Sequence, residues 1–269
     1  MDIHATVSLH TGRKMPVLGL GTWKLTHQTA TIIAQALRVG YPMIDTSGDY
    51  GTQPGIAEGI KQSGVARDSF FIVTKVEETD EAYEATRKNL AELQLTYADL
   101  VLIHRPPKDG ADKPLWEGLI KARDEGLTRD IGVSNYSEVQ IQALIDATGE
   151  TPAVNQIEWS PFGWSQEMLD FCKTKGIVVQ AWSPLTRSKR LEHETLTSVA
   201  AKHKKSPAQI LIRWDLQKGV VPLPKANQPE HLAENLDVFD FELSAKEMEA
   251  LDSLNEEYST LGPKPEYRQ

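Results

Sequence analysis

Four residues with acid–base side chains, Asp45, Tyr50, Lys75 and His104, each lie just beyond a short apolar run that reads as a β-strand. The runs are Met43-Ile44, Phe70 to Val73 and Leu100 to Ile103. In a closed α/β barrel the carboxyl ends of the strands form one rim, where residues far apart in sequence converge. A tyrosine keeps its proton at neutral pH, its ordinary pKa being about 10. A neighbouring cation stabilises the phenolate and lowers that value. Lys75 can supply the cation, Asp45 can hold its ammonium, and His104 can hydrogen-bond and orient an oxygen of a bound molecule. Together they form a set that can donate or take up a proton. Each also has a plainer reading: a strand-end aspartate capping a helix, a rim lysine in a salt bridge, a buried histidine satisfied by backbone.

The elements that must position these residues are legible as a repeat. Apolar strand candidates centre near residues 20, 44, 72, 101, 132, 155, 179 and 221 and alternate with helical stretches. Most intervals are of βα length, and the last is longer and holds two helical segments. Eight such units predict a closed barrel, (β/α)8, and 269 residues fit one such domain over 1–269, since the barrel needs about 250. Before the first strand, Thr6 to Pro16 predicts a hairpin turning at Thr11-Gly12, placed to close the barrel's bottom. Ser206-Pro207-Ala208-Gln209 has an N-cap, a proline at the first helical position and a capping-box glutamine. Ser244 and Glu247 repeat that spacing, and Ile141, Leu144 and Ile145 share a helical face. The tail from Tyr258 is short, turn-rich and expected to be non-helical.

Composition narrows the function. The chain carries 29 Lys and Arg against 38 Asp and Glu, a net charge of −9, which argues against nucleic acid or an anionic membrane as the main partner. No apolar run approaches the roughly 20 residues of a membrane span, and the N-terminus lacks a signal pattern. The single cysteine, Cys172, has no internal disulfide partner, reads as core packing, and points to a reducing cytoplasm. There is no H-x-H, H-E-x-x-H or C-x-x-C spacing, so no metal is expected. A monomer is expected.

The segments around the four residues, DTSGDYGT at 45–52, VTK at 73–75 and LIH at 102–104, resemble the aldo-keto reductase family, which reduces carbonyls with NAD(P)H. IGVSNY at 131–136, VNQIE at 154–158, AWSPL at 181–185 and VPLPK at 221–225 follow in the family's order, and the resemblance runs from about Leu18 to about Leu254. It implies the acid–base roles given above: Tyr50 as general acid in reduction and general base in oxidation, backed by Lys75, Asp45 and His104. It also implies that Ser134, Asn135 and Gln156, after the fifth and sixth barrel strands, hold the nicotinamide carboxamide. Trp182 would stack on the nicotinamide ring, and Ser183 and Leu185 join the cofactor set.

No G-x-G-x-x-G follows the first strand, so a Rossmann site is not expected. By resemblance the cofactor lies extended across the barrel mouth, with Gly21 and Thr22 letting backbone approach it. Lys225, Ala226, Asn227, His231, Glu234 and Asn235 match the segment that grips the adenosine end and its 2′-phosphate. Asn227 or Gln228 before Pro229 marks a helix start that favours an anion. The family pattern has serine where Ala226 stands and arginine where His231 stands. Both departures weaken strict NADPH use and make NADH use expected as well.

Trp23 walls the substrate pocket by resemblance. Arg105 stands where the family often has tryptophan and could face a carboxylate or polyhydroxylated substrate. It could equally pair with Glu77, which stands where another pocket aromatic is common. The nearest likeness is to bacterial-type enzymes acting on small dicarbonyls and keto sugar acids, and the short tail predicts a broad, partly open pocket. Two rivals remain: a barrel isomerase or lyase on sugar phosphates using a carboxylate or a Schiff-base Lys75, and a non-enzymatic NAD(P)-binding redox-sensing subunit.

Overall fold

The computed structural model describes every residue except Thr26, Asp80, Asp109 and Gln269. Ten strands and ten α-helices are seen among the described residues. The first two strands, β1 (Thr6–Ser8) and β2 (Lys14–Pro16), pair antiparallel. Gly12 at positive φ makes their turn, as the hairpin reading expects. The remaining strands are β3 (Leu20–Gly21), β4 (Met43–Asp45), β5 (Phe71–Val76), β6 (Ala98–Ile103), β7 (Thr128–Ser134), β8 (Val154–Glu158), β9 (Val178–Trp182) and β10 (Val221–Pro222). They form one parallel sheet in sequence order. Backbone bonds from Gly19 to Pro222 and from Gly21 to Pro224, both 3.1 Å, join its two edges and close the barrel.

The helices are α1 (Thr29–Arg38), α2 (Gln53–Ser63), α3 (Ala82–Leu93), α4 (Lys113–Asp124), α5 (Glu138–Thr148), α6 (Gln166–Lys175), α7 (Glu194–His203), α8 (Pro207–Lys218), α9 (Pro229–Leu236) and α10 (Ala245–Asp252). The capping boxes expected at Ser206 and Ser244 both form, and Ser137 starts α5 in the same way. Each such cap satisfies donors that the first turn would otherwise leave orphaned.

Strand parity sorts the side chains. Met43, Phe71, Val73, Leu100, Leu102, Val154 and Val178 form one buried cluster with Leu9 and Met15 of the hairpin region, which plugs the bottom. The alternate residues Ile44, Ile72, Val101, Ile103, Ile131 and Val179 join apolar helix residues such as Ile33, Leu90, Leu119 and Ile141 in the main core. Two residues on from the first set, the same parity reaches Asp45, Lys75, His104, Gln156 and Gln180. The barrel is thus apolar at the bottom and polar near the carboxyl rim. Lys75 and Gln156 lie within β5 and β8, not beyond them as the sequence reading has it, because polar partners inside the barrel let the strands continue.

Candidate active site

Asp45 is the last residue of β4 and is buried. Its two carboxylate oxygens accept from the Lys75 ammonium at 2.8 and 2.9 Å. The third Lys75 proton goes to the carbonyl of Thr46 at 2.8 Å. A fully buried lysine survives there because every proton has an acceptor and the pair cancels its charge. The same arrangement disfavours a Schiff-base lysine, since an amine tied to three acceptors and closed to solvent is a poor nucleophile. Gln156 supports the pair from across the barrel, donating to Asp45 Oδ1 at 2.8 Å and to Gln180 Oε1 at 3.0 Å.

Tyr50 closes a short 3-10 turn after β4. Its ring lies 5.1 Å from Lys75 Nζ and meets the His104 ring edge-on with centroids 5.6 Å apart. The four residues the sequence singles out are therefore brought together. One expectation is reversed. Burial first, then the charges of Asp45, Asp49 and Glu77, push the Tyr50 phenol well above its ordinary value, and Arg105 opposes them. The phenol is therefore a firmly protonated donor.

His104 follows β6 and is nearly buried. Its Nδ1 lies 2.6 Å from Glu77 Oε1, 3.5 Å from Ser47 Oγ and 3.6 Å from Asp49 Oδ1. Glu77 thus pairs closely with His104, and Arg105, exposed on the rim, acts on Glu77 through charge. The Glu77–Arg105 structural pair gives way to this contact, because His104 projects from the adjacent strand.

Asn135 takes a left-handed backbone, which asparagine tolerates. It donates to the His104 carbonyl at 3.1 Å and accepts from Trp182 Nε1 at 2.8 Å. Ser134 Oγ donates to the Gln156 carbonyl at 2.7 Å. Ser134, Asn135, Gln156 and Trp182 are thereby one linked wall. They line a cleft of about 780 Å³ together with Gly21, Trp23, Asp45, Tyr50, His104 and Arg105. The cleft runs on past Ser183 and Leu185 to Lys225, Asn227, His231, Glu234 and Asn235.

Three expected cofactor contacts fall outside that wall or have another task. Thr22 is fully buried and donates to the Asp45 carbonyl at 2.8 Å, holding β3 to β4. A Cβ on Gly21 would meet the Leu223 carbonyl oxygen at 2.7 Å, so this glycine serves the close approach that shuts the barrel. Ala226 is turned into the apolar core.

The sequence reading missed Arg187. It stacks on Trp23 at 4.1 Å, within Thr186-Arg187-Ser188, three successive residues at positive φ. No residue pattern announces that fold of the loop. Arg187 Nε is buried without a hydrogen-bond partner. Burial first, then the charges of Lys24 and Arg187, pull the Lys225 ammonium below its ordinary value. None of these three cations forms an ion pair among the described residues. Arg187 and Lys225 line the cleft, and cations placed there without an ion pair among the described residues fit an anionic ligand such as a dinucleotide's phosphates. The α9 N-terminus adds unpaired backbone donors, since Gln228 gives no side-chain cap. The tail also closes in more than expected. Glu158 accepts from Ser259 and Thr260, Tyr267 is buried, and Leu261 and Glu266 line the cleft.

The model of the aldo/keto reductase family matches residues 17–256. A glyoxal reductase of Bacillus subtilis is 43% identical over 267 residues, covering 97% of this chain and 96% of that protein. An aldo-keto reductase of Mycobacterium tuberculosis is 41% identical over 257 residues, covering 93% and 91%. Among solved structures, a Bombyx mori aldo-keto reductase in complex with NADP superposes with a TM-score of 0.92 at 31% identity, covering 100% of both chains. An aldo/keto reductase from Brucella melitensis gives 0.87 at 39% identity, covering 93% and 99%. With a closed barrel, an acid–base cluster on its rim and this likeness over nearly its whole length, the chain belongs to the aldo/keto reductase family, enzymes that reduce carbonyl compounds with NAD(P)H.

Proposed function

We propose that the chain reduces small dicarbonyls and keto sugar acids reversibly, with Tyr50 as proton donor in reduction and proton acceptor in oxidation. The observation that carries this reading is the placement of the Tyr50 phenol beside His104 and the buried Lys75–Asp45 pair, at the cleft floor. Bound NAD(P)H supplies the hydride. Ser134, Asn135 and Gln156 would hold its carboxamide, Trp182 its ring, and Lys225, Asn227, His231 and Asn235 its adenosine end. His104 orients the carbonyl oxygen, Tyr50 gives it a proton, and Asp45 keeps the Lys75 ammonium in place. The wall around them limits water at the reacting carbonyl. The single buried cysteine supports the cytoplasmic setting read from the sequence.

Arg105 is exposed on the rim beside His104, where it can meet a substrate carboxylate. The Bacillus subtilis relative named for glyoxal supports small dicarbonyls as the companion class. The test is a carbonyl panel run with NADH and NADPH side by side, spanning methylglyoxal, keto sugar acids and aromatic aldehydes. Turnover of none of them with either cofactor would remove the reading. Arg105→Trp is expected to shift preference from carboxylated to aromatic carbonyls, seen as a changed ratio of kcat/KM values. Equal ratios before and after would exclude substrate contact by Arg105.

Cofactor preference follows from His231, in the first turn of α9 and exposed to the cleft. His231 stands where the family has arginine, so the permanent fork of a guanidinium is missing from this segment, and Lys225 is its basic residue. NADH use is expected to be measurable, with NADPH preferred modestly. His231→Arg adds a charge-assisted hydrogen bond of about 1.5–3 kcal/mol and is expected to raise the NADPH preference roughly 10- to 100-fold. A wild-type preference already above about 10³-fold would show that other residues hold the phosphate.

A further inference from the structure

We propose that Glu77 is a positioning residue that locks His104 with its Nδ1–H directed at the carboxylate, so that the ring donates Nε2–H to the substrate oxygen as an imidazolium. The inference rests on the carbonyl-reducing role of this site and assigns the form in which its histidine works. It starts from one short contact, His104 Nδ1 to Glu77 Oε1 at 2.6 Å, just under the range of about 2.7–2.9 Å that charge-assisted N–H···O bonds take. Ser47 Oγ donates to the same oxygen at 3.2 Å, so Oε1 already accepts one hydrogen bond. Burial works against the ionised carboxyl of Glu77. The hydrogen bonds and charge of His104 and the Ser47 hydroxyl outweigh it and hold Glu77 below its ordinary value. A carboxylate has no proton to give, so Nδ1 must be the donor.

The consequence for Nε2 is a matter of counting. A neutral imidazole carries one ring proton. With that proton on Nδ1, Nε2 offers only a lone pair, and a carbonyl oxygen also offers only lone pairs. A ring so held can hydrogen-bond the carbonyl only when both nitrogens are protonated. The charged groups around it are Asp49 at 3.6 Å, Glu77, Arg105 next in the chain, and the Lys75–Asp45 pair, which cancels itself. Tyr50 stands edge-on to the ring and is protonated. Two carboxylates thus face the ring against one guanidinium.

The reaction balance is unchanged. The carbonyl carbon would take its hydride, two electrons with one proton, from the bound nicotinamide cofactor, which would be left oxidised. Tyr50 gives the oxygen the second proton and regains it from solvent. His104 keeps both of its protons and stabilises the negative charge that builds on the oxygen.

Two measurements test this on the intact enzyme. In the first, kcat/KM for methylglyoxal reduction is followed against pH. In the wild type it should fall as pH rises, because only the doubly protonated ring offers Nε2–H to the carbonyl. In Glu77→Gln the amide can donate to Nδ1, the neutral ring then carries Nε2–H, and this alkaline limb should vanish. The variant should also lose about tenfold in kcat/KM below that limb, the difference between a charged and a neutral hydrogen bond. Glu77→Asp, which keeps the carboxylate, should keep the limb. In the second, nitrogen NMR of the histidine rings, with His104 assigned by its loss in His104→Asn, should show a doubly protonated ring in the wild type and a neutral one in Glu77→Gln at the same pH. A neutral wild-type ring, or an unchanged limb in Glu77→Gln, overturns the proposal. Absence of reduction by the wild type would instead count against the parent reading, and the NMR signature still decides the form of His104.

Discussion

Replacing Tyr50 with phenylalanine is expected to cut carbonyl reduction by on the order of 10²-fold or more, with cofactor affinity unchanged. The change deletes one oxygen and leaves the ring, which holds its edge contact with His104 and its place over Lys75. The buried Lys75–Asp45 pair does not use the phenol oxygen as a partner, so no buried charge is orphaned. The residues expected at the cofactor lie across the cleft on β7, β8 and β9 and their following loops. Loss of turnover without loss of affinity is therefore what a missing proton donor looks like. Steady-state reduction and a fluorescence titration of NADPH on the same preparation are the check. Turnover near that of the wild type would remove Tyr50 from its role, and lost affinity would show that the ring shapes the cofactor site.

The barrel was readable because its strands are short apolar runs with polar ends, and parity places those ends on one rim. Asp45, Lys75 and His104 share that logic: each lies two residues beyond a member of the bottom cluster, after Met43, Val73 and Leu102. The wall of Ser134, Asn135, Gln156 and Trp182 was reached through the resemblance to the family, to which the chain belongs. What could not be read depends on contacts between neighbouring units. Glu77 follows β5 and reaches the histidine after β6, a pairing that sequence spacing does not encode. Arg187 reaches Trp23 only because three residues turn left-handed in succession. Gly21 lines the cleft, but its need for glycine comes from the Leu223 carbonyl packed against it, a contact across the barrel seam that sequence spacing does not encode. The tail's hold on Glu158 joins residues a hundred positions apart, and no local pattern announces it.

The second large effect is expected from Lys75→Met, and it separates stability from chemistry. Methionine fills much of the lysine's volume but leaves Asp45 buried, with Gln156 as its remaining close side-chain donor. Breaking a buried pair by removing one partner costs about 3–5 kcal/mol, which chemical denaturation would read directly. Asp45→Asn added to Lys75→Met removes the stranded charge and should recover much of that stability. It should not recover turnover, because the cation near the phenol is still missing. The electrostatic sign is fixed by the geometry. Asp45 already disfavours the Tyr50 phenolate, and without the ammonium its charge acts unopposed until it takes up a proton. Alcohol oxidation needs the phenolate as base, so its rate rises with pH as Tyr50 loses its proton. In Lys75→Met that rise should move to higher pH, with a loss on the order of 10²-fold at neutral pH. An oxidation profile that keeps the wild-type midpoint would show that Lys75 holds the fold of the site without tuning Tyr50.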